Sequence, residues 1–160
     1  MSNAPAIALL QPEHIDRAYG LMKAGQPGLS CAGWRAFCLQ ALRRRQVSRD
    51  MSDIVVATDD DGEPQAICLA CDPNNGVRHG MLDVWCFFLA PNADQAVTTD
   101  GMIAYLSEMA RSRSCRAVRF WVGGRDTWVS RVTDQEDWER GVILRLAAAP
   151  SPDEWRPVKT

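Results

Sequence analysis

Two side chains that can exchange protons lie at the start of the most apolar segment of the chain. Asp83 is the one acid inside the segment Met81–Leu89, and His79 lies just before it. A carboxylate whose pKa is raised by burial can act as a general base, and histidine titrates near neutral pH. The alternatives are that Asp83 is exposed or paired with an arginine, and that His79 is an ordinary turn residue. These two residues are the candidate catalytic residues of the sequence.

Six cysteines are spread along the chain, and Cys68 and Cys71 have the CxxC spacing of metal and redox sites. Zinc usually needs four ligands, but no second pair accompanies this one, and His14 and His79 are isolated. The surrounding segment also has the pattern of a strand, which would point the two thiols to opposite faces. We therefore predict free, mostly buried cysteines and no metal site.

Length and composition predict one globular domain. The chain has 160 residues, of which 46% are hydrophobic and 24% are charged. We expect a single domain over residues 1–149 and a proline-rich tail over residues 150–160. No apolar run approaches the ~20 residues that a membrane-spanning helix needs, and the first residues lack the charged start of a secretory signal, so we predict a soluble cytoplasmic protein. A net charge of −2 without a basic excess predicts no nucleic-acid or membrane partner.

The order of apolar patterns predicts an α/β protein. Apolar runs predict strands over residues 6–10, 54–58, 64–71, 81–89, 118–122 and 142–146. Helical spacing predicts helices that begin near Pro12 and Ser30, a long helix capped by Thr98 or Thr99, and a weaker helix over residues 126–140. The resulting order, β-α-α-β-β-β-α-β-α-β, favours a mixed central sheet flanked by helices.

The strand over residues 81–89 is predicted to lie in the centre of the sheet, because both of its faces are apolar. Strict alternation places one set of residues on one face: Leu82, Val84, Cys86 and Phe88. The other set includes Asp83: Met81, Asp83, Trp85, Phe87 and Leu89. Among the six tryptophans, Trp34, Trp85 and Trp121 are expected in the core. Exposed or interface positions, such as those of a homodimer, are expected for Trp128, Trp138 and Trp155.

This order of elements resembles that of the GNAT superfamily of N-acetyltransferases, over roughly residues 6–147. The segment Ala6–Asp16 is similar to the first strand and first helix of the family, and Val84–Pro91 is similar to its fourth strand and the proline that follows. The resemblance implies the GNAT-like acyl-CoA N-acyltransferase fold. It also implies transfer of an acetyl or other acyl group from acyl-CoA to an amine of unidentified structure. The alternative is a catalytically silent GNAT-like binding or assembly module that does not use CoA.

The cofactor motif of the family is Arg/Gln-x-x-Gly-x-Gly/Ala, whose glycines let the backbone approach a pyrophosphate at a helix N-terminus. The equivalent stretch here, Asp94–Gly101, lacks both motif glycines and adds negative charge at Asp94 and Asp100. With that departure, the resemblance implies that acetyl-CoA or another acyl-CoA would be contacted by the following residues: Leu89, Gln95, Val97, Thr98 and Thr99.

Overall fold

A computed structural model describes residues 3–47, 53–71, 80–121 and 142–146 of the chain. The predicted helix over residues 126–140, the tail over residues 150–160, and the residues His79, Trp128, Trp138 and Trp155 lie outside these ranges. The elements are, in chain order, β1 (Ala6–Leu9), α1 (Ile15–Gly25), α2 (Cys31–Val47), β2 (Asp53–Thr58), β3 (Pro64–Cys71), β4 (Met81–Leu89), α3 (Gln95–Ser112), β5 (Ala117–Phe120) and β6 (Val142–Arg145). None of the described helices is long and apolar enough to span a bilayer.

The six strands form one sheet whose spatial order is the chain order, β1 to β6. Strands β4 and β5 run parallel, and every other neighbouring pair runs antiparallel. A parallel pair needs a crossover connection, and α3 supplies it between β4 and β5. The structure therefore confirms the predicted α/β class, with a mixed sheet flanked by three helices.

Local sequence signals set several of the element boundaries. Ser30 caps α2 as predicted, because its hydroxyl oxygen accepts a 3.0 Å hydrogen bond from the Gly33 amide. The turn between β2 and β3 closes with a 3.0 Å bond from the Gly62 amide to the Asp59 carbonyl. Gly62 has a φ of 77°, which a residue without a side chain adopts at little cost.

The core lies on both faces of the sheet. One cluster packs α3 against the sheet and includes Met102, Leu106, Val84 and Phe120. The other packs α1 and α2 against the opposite face and includes Trp34, which is 1% exposed, as predicted. Cys68 lies in the α3 cluster and has no solvent exposure, which confirms the prediction that its thiol is buried.

The predicted faces of β4 are wrong from Cys86 onward. Ile67 pairs with Phe88 and Leu69 pairs with Trp85, so Cys68 stands opposite two residues of β4 instead of one. This β-bulge, at which Cys86 has a φ of 52°, reverses the alternation. The α3 side therefore receives Leu82, Val84, Phe87 and Leu89, and the side of α1 and α2 receives Cys86 and Phe88.

Helix α3 begins at Gln95, one turn before the predicted start at Thr98 or Thr99. Asp94 is its N-cap, because its carboxylate accepts a hydrogen bond of 3.1 Å from the Val97 amide. Aspartate is among the most favourable N-cap residues, and it satisfies an amide that the helix itself leaves unpaired. The extra turn carries both threonines from the helix end into its body.

Candidate functional site

The parallel pair β4 and β5 marks the place in the sheet where a ligand is expected. The two strands pair from Met81–Ala117 to Val84–Phe120, and the Trp121 amide adds a 2.8 Å bond to the Val84 carbonyl. Strand β4 then continues to Leu89, and α3 starts a few residues later. In α/β sheets, ligands bind in the crevice outside the carboxyl ends of parallel strands. The candidate site is therefore the end of β4 together with the start of α3.

The bulge at Cys86 lies at this point. A left-handed backbone conformation is uncommon for a residue with a side chain, and such positions cluster at functional sites. The Gln26 side-chain amide, in the connection between α1 and α2, donates a 3.1 Å hydrogen bond to the Cys86 sulfur. Burial raises the pKa of the Cys86 thiol, and the neighbouring Cys71 raises it further. Cys86 is therefore a neutral thiol at physiological pH, which makes it a poor nucleophile.

Asp83, the predicted catalytic carboxylate, is paired with an arginine of the adjacent strand. Arg119 donates two hydrogen bonds to it, of 2.7 Å from Nε and 2.9 Å from an Nη nitrogen. Asp83 is 4% exposed, and its hydrogen bond raises the pKa of the Arg119 guanidinium. The carboxylate is thus held in a fixed, bidentate ion pair, and any proton it accepts competes with Arg119.

Two indole rings lie beside this ion pair. Trp85 and Trp121 are stacked, with ring centroids 4.6 Å apart and planes 8° from parallel. The Arg119 guanidinium lies 4.5 Å from the Trp121 ring centroid, close enough for a cation–π contact. Trp85 is 41% exposed, so its predicted place in the core is wrong. The Trp85 side chain lies on the sheet face opposite α3, on the half of that face formed by the strands after β3. Helices α1 and α2 leave its ring partly uncovered there.

The N-terminus of α3 is capped by the side-chain carboxylate of Asp94. Besides the bond to the Val97 amide, the Asp94 carbonyl accepts a 2.9 Å bond from the Thr98 amide. Gln95 and Val97 are exposed on the first turn, whereas Thr98 and Thr99 are 2% and 0% exposed. The Thr99 hydroxyl has no hydrogen-bond partner within the described ranges. The Thr99 hydroxyl therefore belongs to the interior, whereas Thr98 lines a small pocket at the helix start.

A pocket of about 40 Å³ lies beside this helix start. Asp94, Val97 and Thr98 line it at the start of α3, and Gln65 lines it from β3. Asn3 and Pro5, before β1, and Asp59, after β2, complete the lining. Asp59 is held in place because its carboxylate accepts bonds from the amides of Asp61 and Glu63 and from the Gln65 side chain. The lining contains two acids and, among the residues that the structure describes, no lysine or arginine.

These residues do not fit a pyrophosphate. A helix N-terminus binds phosphate through free amides and its positive dipole end, but here a carboxylate already holds the Val97 amide. No glycine occurs from Pro91 to Asp100, and the Val97 side chain covers the first turn. The acid pair Asp59 and Asp94 would also repel an anion.

The sequence-predicted site residues are only partly brought together. Asp83 lies on the sheet face opposite α3, whereas Leu89 packs in the α3 cluster, about 20 Å further along the strand. Leu89, Gln95 and Val97 do lie near one another at the junction of β4 and α3. Arg119 and Trp121 were missed by the sequence analysis. Arg119 had one signal, because it is a single charge within an apolar strand, as Asp83 is.

Comparison with solved structures identifies the same architecture elsewhere. Aminoglycoside N-acetyltransferase AAC(6')-Iy in complex with CoA aligns with a TM-score of 0.65 and 20% identity, over 82% of this chain and 85% of that chain. The same enzyme with the bisubstrate analogue CoA-S-monomethyl-acetylneamine aligns with a TM-score of 0.67 and 20% identity, over 91% and 99%. The chain has the GNAT fold. A third GNAT-fold match is AAC(6')-Ih from Acinetobacter baumannii, with a TM-score of 0.57 and 15% identity over 79% and 84%.

At these identities the comparisons establish the GNAT fold and leave the activity to be argued from the site. No protein-family model matches the sequence, and no curated protein matches it either. In this chain β4 is bulged at Cys86, and Asp94 caps the start of α3. The site therefore has to be judged residue by residue.

Proposed function

We propose that the chain is an N-acyltransferase that moves an acetyl or other acyl group from a CoA-type thioester to an amine. The observation that carries the proposal is the arrangement of β4. The strand runs parallel to β5 as far as Val84, is bulged at Cys86 and leads directly into α3. That arrangement forms a crevice at the carboxyl ends of the parallel strands, in a fold shared with acetyltransferases that bind CoA.

We assign binding and deprotonation of the amine, which accepts the acyl group, to the Asp83–Arg119 ion pair and the neighbouring indole of Trp85. An amine becomes a nucleophile only after it loses a proton, so the site needs a proton acceptor. Asp83 is the carboxylate on the face of Trp85 and Trp121, and it can take this part when Arg119 moves or when a water relays the proton. The exposed indole of Trp85 offers an apolar, electron-rich surface against which an alkylammonium group can bind.

The proposal is tested by direct detection of product. Purified protein is incubated with acetyl-CoA or acetyl-pantetheine and a panel of primary amines, and the N-acetylated products are measured by mass spectrometry. We expect product from at least one amine. We also expect a loss of at least tenfold in kcat with Asp83→Asn, since one general base contributes about 10² or more. Asp16→Asn removes an exposed carboxylate that is also paired with an arginine, Arg35, and should leave the rate unchanged. Absence of product with every thioester would contradict the proposal.

The second candidate function is a catalytically silent binding or assembly module. It is favoured by the bidentate pairing of Asp83 with Arg119, which holds the carboxylate in an interaction typical of structural cross-strand pairs. A module of this kind would yield no product in the assay above. It would instead associate with a partner or with itself, and sedimentation velocity would detect the homodimer that the tryptophan-rich sequence predicts.

The proposed location of the protein is the cytoplasm. All six cysteines are free, which is typical of proteins kept in a reducing compartment. Mass spectrometry of the protein purified under alkylating conditions should therefore find six modified thiols and no disulfide.

A further inference from the structure

We propose that the acyl donor is a pantetheine thioester recognised without its nucleotide diphosphate, and that Asp94 is the residue that excludes the diphosphate. This inference rests on the proposed acyltransferase function and specifies which half of a CoA-type donor the protein reads. CoA joins a pantetheine arm, which ends in the thiol, to a diphosphate-bearing nucleotide. The pantetheine arm is uncharged, whereas the nucleotide diphosphate is an anion. We assign the arm to the end of β4 and consider the diphosphate at the start of α3.

The first argument is that the chain already supplies an anion at the helix start. The Asp94 carboxylate lies at the N-cap of α3 and accepts the Val97 amide at 3.1 Å. A phosphate at this position would need the same amide and would be stabilised by the same dipole end. A ligand phosphate therefore has to displace the Asp94 carboxylate, which is also negatively charged and is part of the chain itself.

The second argument is steric. The Val97 side chain is 38% exposed on the first turn of α3, and the preceding residues Gln95 and Ala96 are exposed as well. Side chains at these positions keep a diphosphate away from the helix backbone. Thr99 offers no replacement contact, since it has no solvent exposure, and Thr98 exposes only 2% of its surface.

The third argument is the charge of the surroundings. The described pocket beside the helix start is lined by Asp59 as well as Asp94. Asp59 is fixed by three hydrogen bonds and cannot turn away from a ligand without breaking them. The pantetheine arm is uncharged and is not repelled by these carboxylates.

The reaction requires nothing from the nucleotide. The amine nitrogen attacks the thioester carbonyl carbon and forms the C–N bond of the amide. The C–S bond breaks, and the sulfur leaves as a thiol with the proton that the nitrogen has lost. The diphosphate stays outside every bond that changes, so its exclusion affects only how the donor is held.

The experiment compares two donors and three proteins. kcat/KM is measured for acetyl-CoA and acetyl-pantetheine with the wild type, Asp94→Asn and Glu108→Gln. Asparagine is as good an N-cap as aspartate, so Asp94→Asn keeps α3 and removes only the charge. Glu108→Gln makes the same charge change on the same helix, about 20 Å from its start.

We expect the wild type to use the two donors within threefold of each other. In Asp94→Asn, the preference for acetyl-CoA over acetyl-pantetheine should rise about threefold to fivefold, which is the size of a favourable charge effect at an exposed helix end. Glu108→Gln should keep the wild-type ratio. Circular dichroism and urea unfolding of each variant verify that α3 is intact.

Three other results would overturn the inference, each in a distinguishable way. A wild-type preference for acetyl-CoA above tenfold would show that the diphosphate is bound, and the acyltransferase function would stand. An unchanged ratio in Asp94→Asn would remove Asp94 as the excluding residue. Absence of product from both donors, with all three proteins folded, would overturn the acyltransferase function and the donor assignment together.

Discussion

The carboxylates of Asp83 and Asp94 are both already engaged by the chain itself. Asp83 holds the guanidinium of Arg119, and Asp94 holds the first-turn amide of Val97. Because Asp83 is paired with a side chain and Asp94 with a backbone amide, the two carboxylates are proposed to have different functions. In the proposed function Asp83 accepts a proton once its ion pair opens, whereas the proposed part of Asp94 is to repel the diphosphate through its negative charge.

The pairing of Asp83 has a consequence for stability. Asp83→Asn leaves the partly buried Arg119 without a counterion, and breaking such a pair is expected to lower the free energy of unfolding by about 2–3 kcal/mol. Urea denaturation of the variant measures this loss. Asp16→Asn breaks an ion pair whose partners are both largely exposed, and it should have little effect. Equal losses in the two variants would show that the Asp83 pair adds nothing beyond a surface pair.

Stability at alkaline pH is set in part by Cys38. Its side chain has no solvent exposure, and burial raises the pKa of its thiol from 9.0 to about 12. Above about pH 9, the thiol ionises in the unfolded chain but stays neutral in the folded one, so stability falls as pH rises towards 12. At pH 10 this one group accounts for about 1.4 kcal/mol.

Urea unfolding at pH 8 and pH 10, with a reducing agent present, measures the effect. The free energy of unfolding of the wild type should fall more between the two pH values than that of Cys38→Ala. An equal fall in both proteins would exclude Cys38 as the source.

At the level of single residues, the sequence predicted which positions were unusual but not their partners. Asp83 stood out as a charge in an apolar strand. Its partner Arg119 lies 36 positions away, and their contact depends on the register of two strands joined by a helix. The exposure of Trp85 depends on which half of a sheet face the helices α1 and α2 cover, which no local pattern encodes.

At the level of elements, β4 shows where sequence periodicity stops being informative. Alternation predicted its first residues correctly and failed at Cys86. A non-glycine residue in the left-handed conformation has no sequence signal here, since Trp85, Cys86 and Phe87 all favour extended strands. The start of α3 failed for a different reason. Asp94, Thr98 and Thr99 are all good N-cap residues, and the sequence alone could not rank them.

The contact between α1 and the bulged strand is tested by two glycines of the same helix. A Cβ on Gly25 would come 2.3 Å from the Phe88 ring, whereas a Cβ on Gly20 would meet nothing within 4 Å. Gly25→Ala should therefore lower the free energy of unfolding by about 1–3 kcal/mol through overpacking. Gly20→Ala should raise it by about 0.5–1 kcal/mol, because alanine is the better helix former. Thermal and urea unfolding report both values, and a stabilising Gly25→Ala would contradict the described packing.

At the scale of the whole molecule, one buried acid joins three elements. Asp53, at the start of β2, forms ion pairs with Arg45 near the end of α2 and with Arg113, which caps the C-terminus of α3. It is 9% exposed and links helices on opposite faces of the sheet. The order of strands and helices was predictable from local patterns, but this link was not, because its members are distant in sequence.

Asp53→Asn leaves two arginines partly buried without their counterion. We expect the free energy of unfolding to fall by about 3 kcal/mol or more, with a single cooperative transition retained. Glu108→Gln, which breaks an exposed ion pair within α3, should change it by about 0.5 kcal/mol or less. A loss in Asp53→Asn as small as that of the control would show that the three elements are held together without this acid.

Exclusion of the diphosphate is tested most directly at equilibrium, by calorimetric titration of the wild-type protein with CoA and with pantetheine. We expect the two ligands to bind with dissociation constants within about threefold of each other, since the start of α3 contributes nothing to the binding of CoA. Binding of CoA more than tenfold tighter than pantetheine would contradict it, because that difference requires a diphosphate held at the helix start that Asp94 occupies.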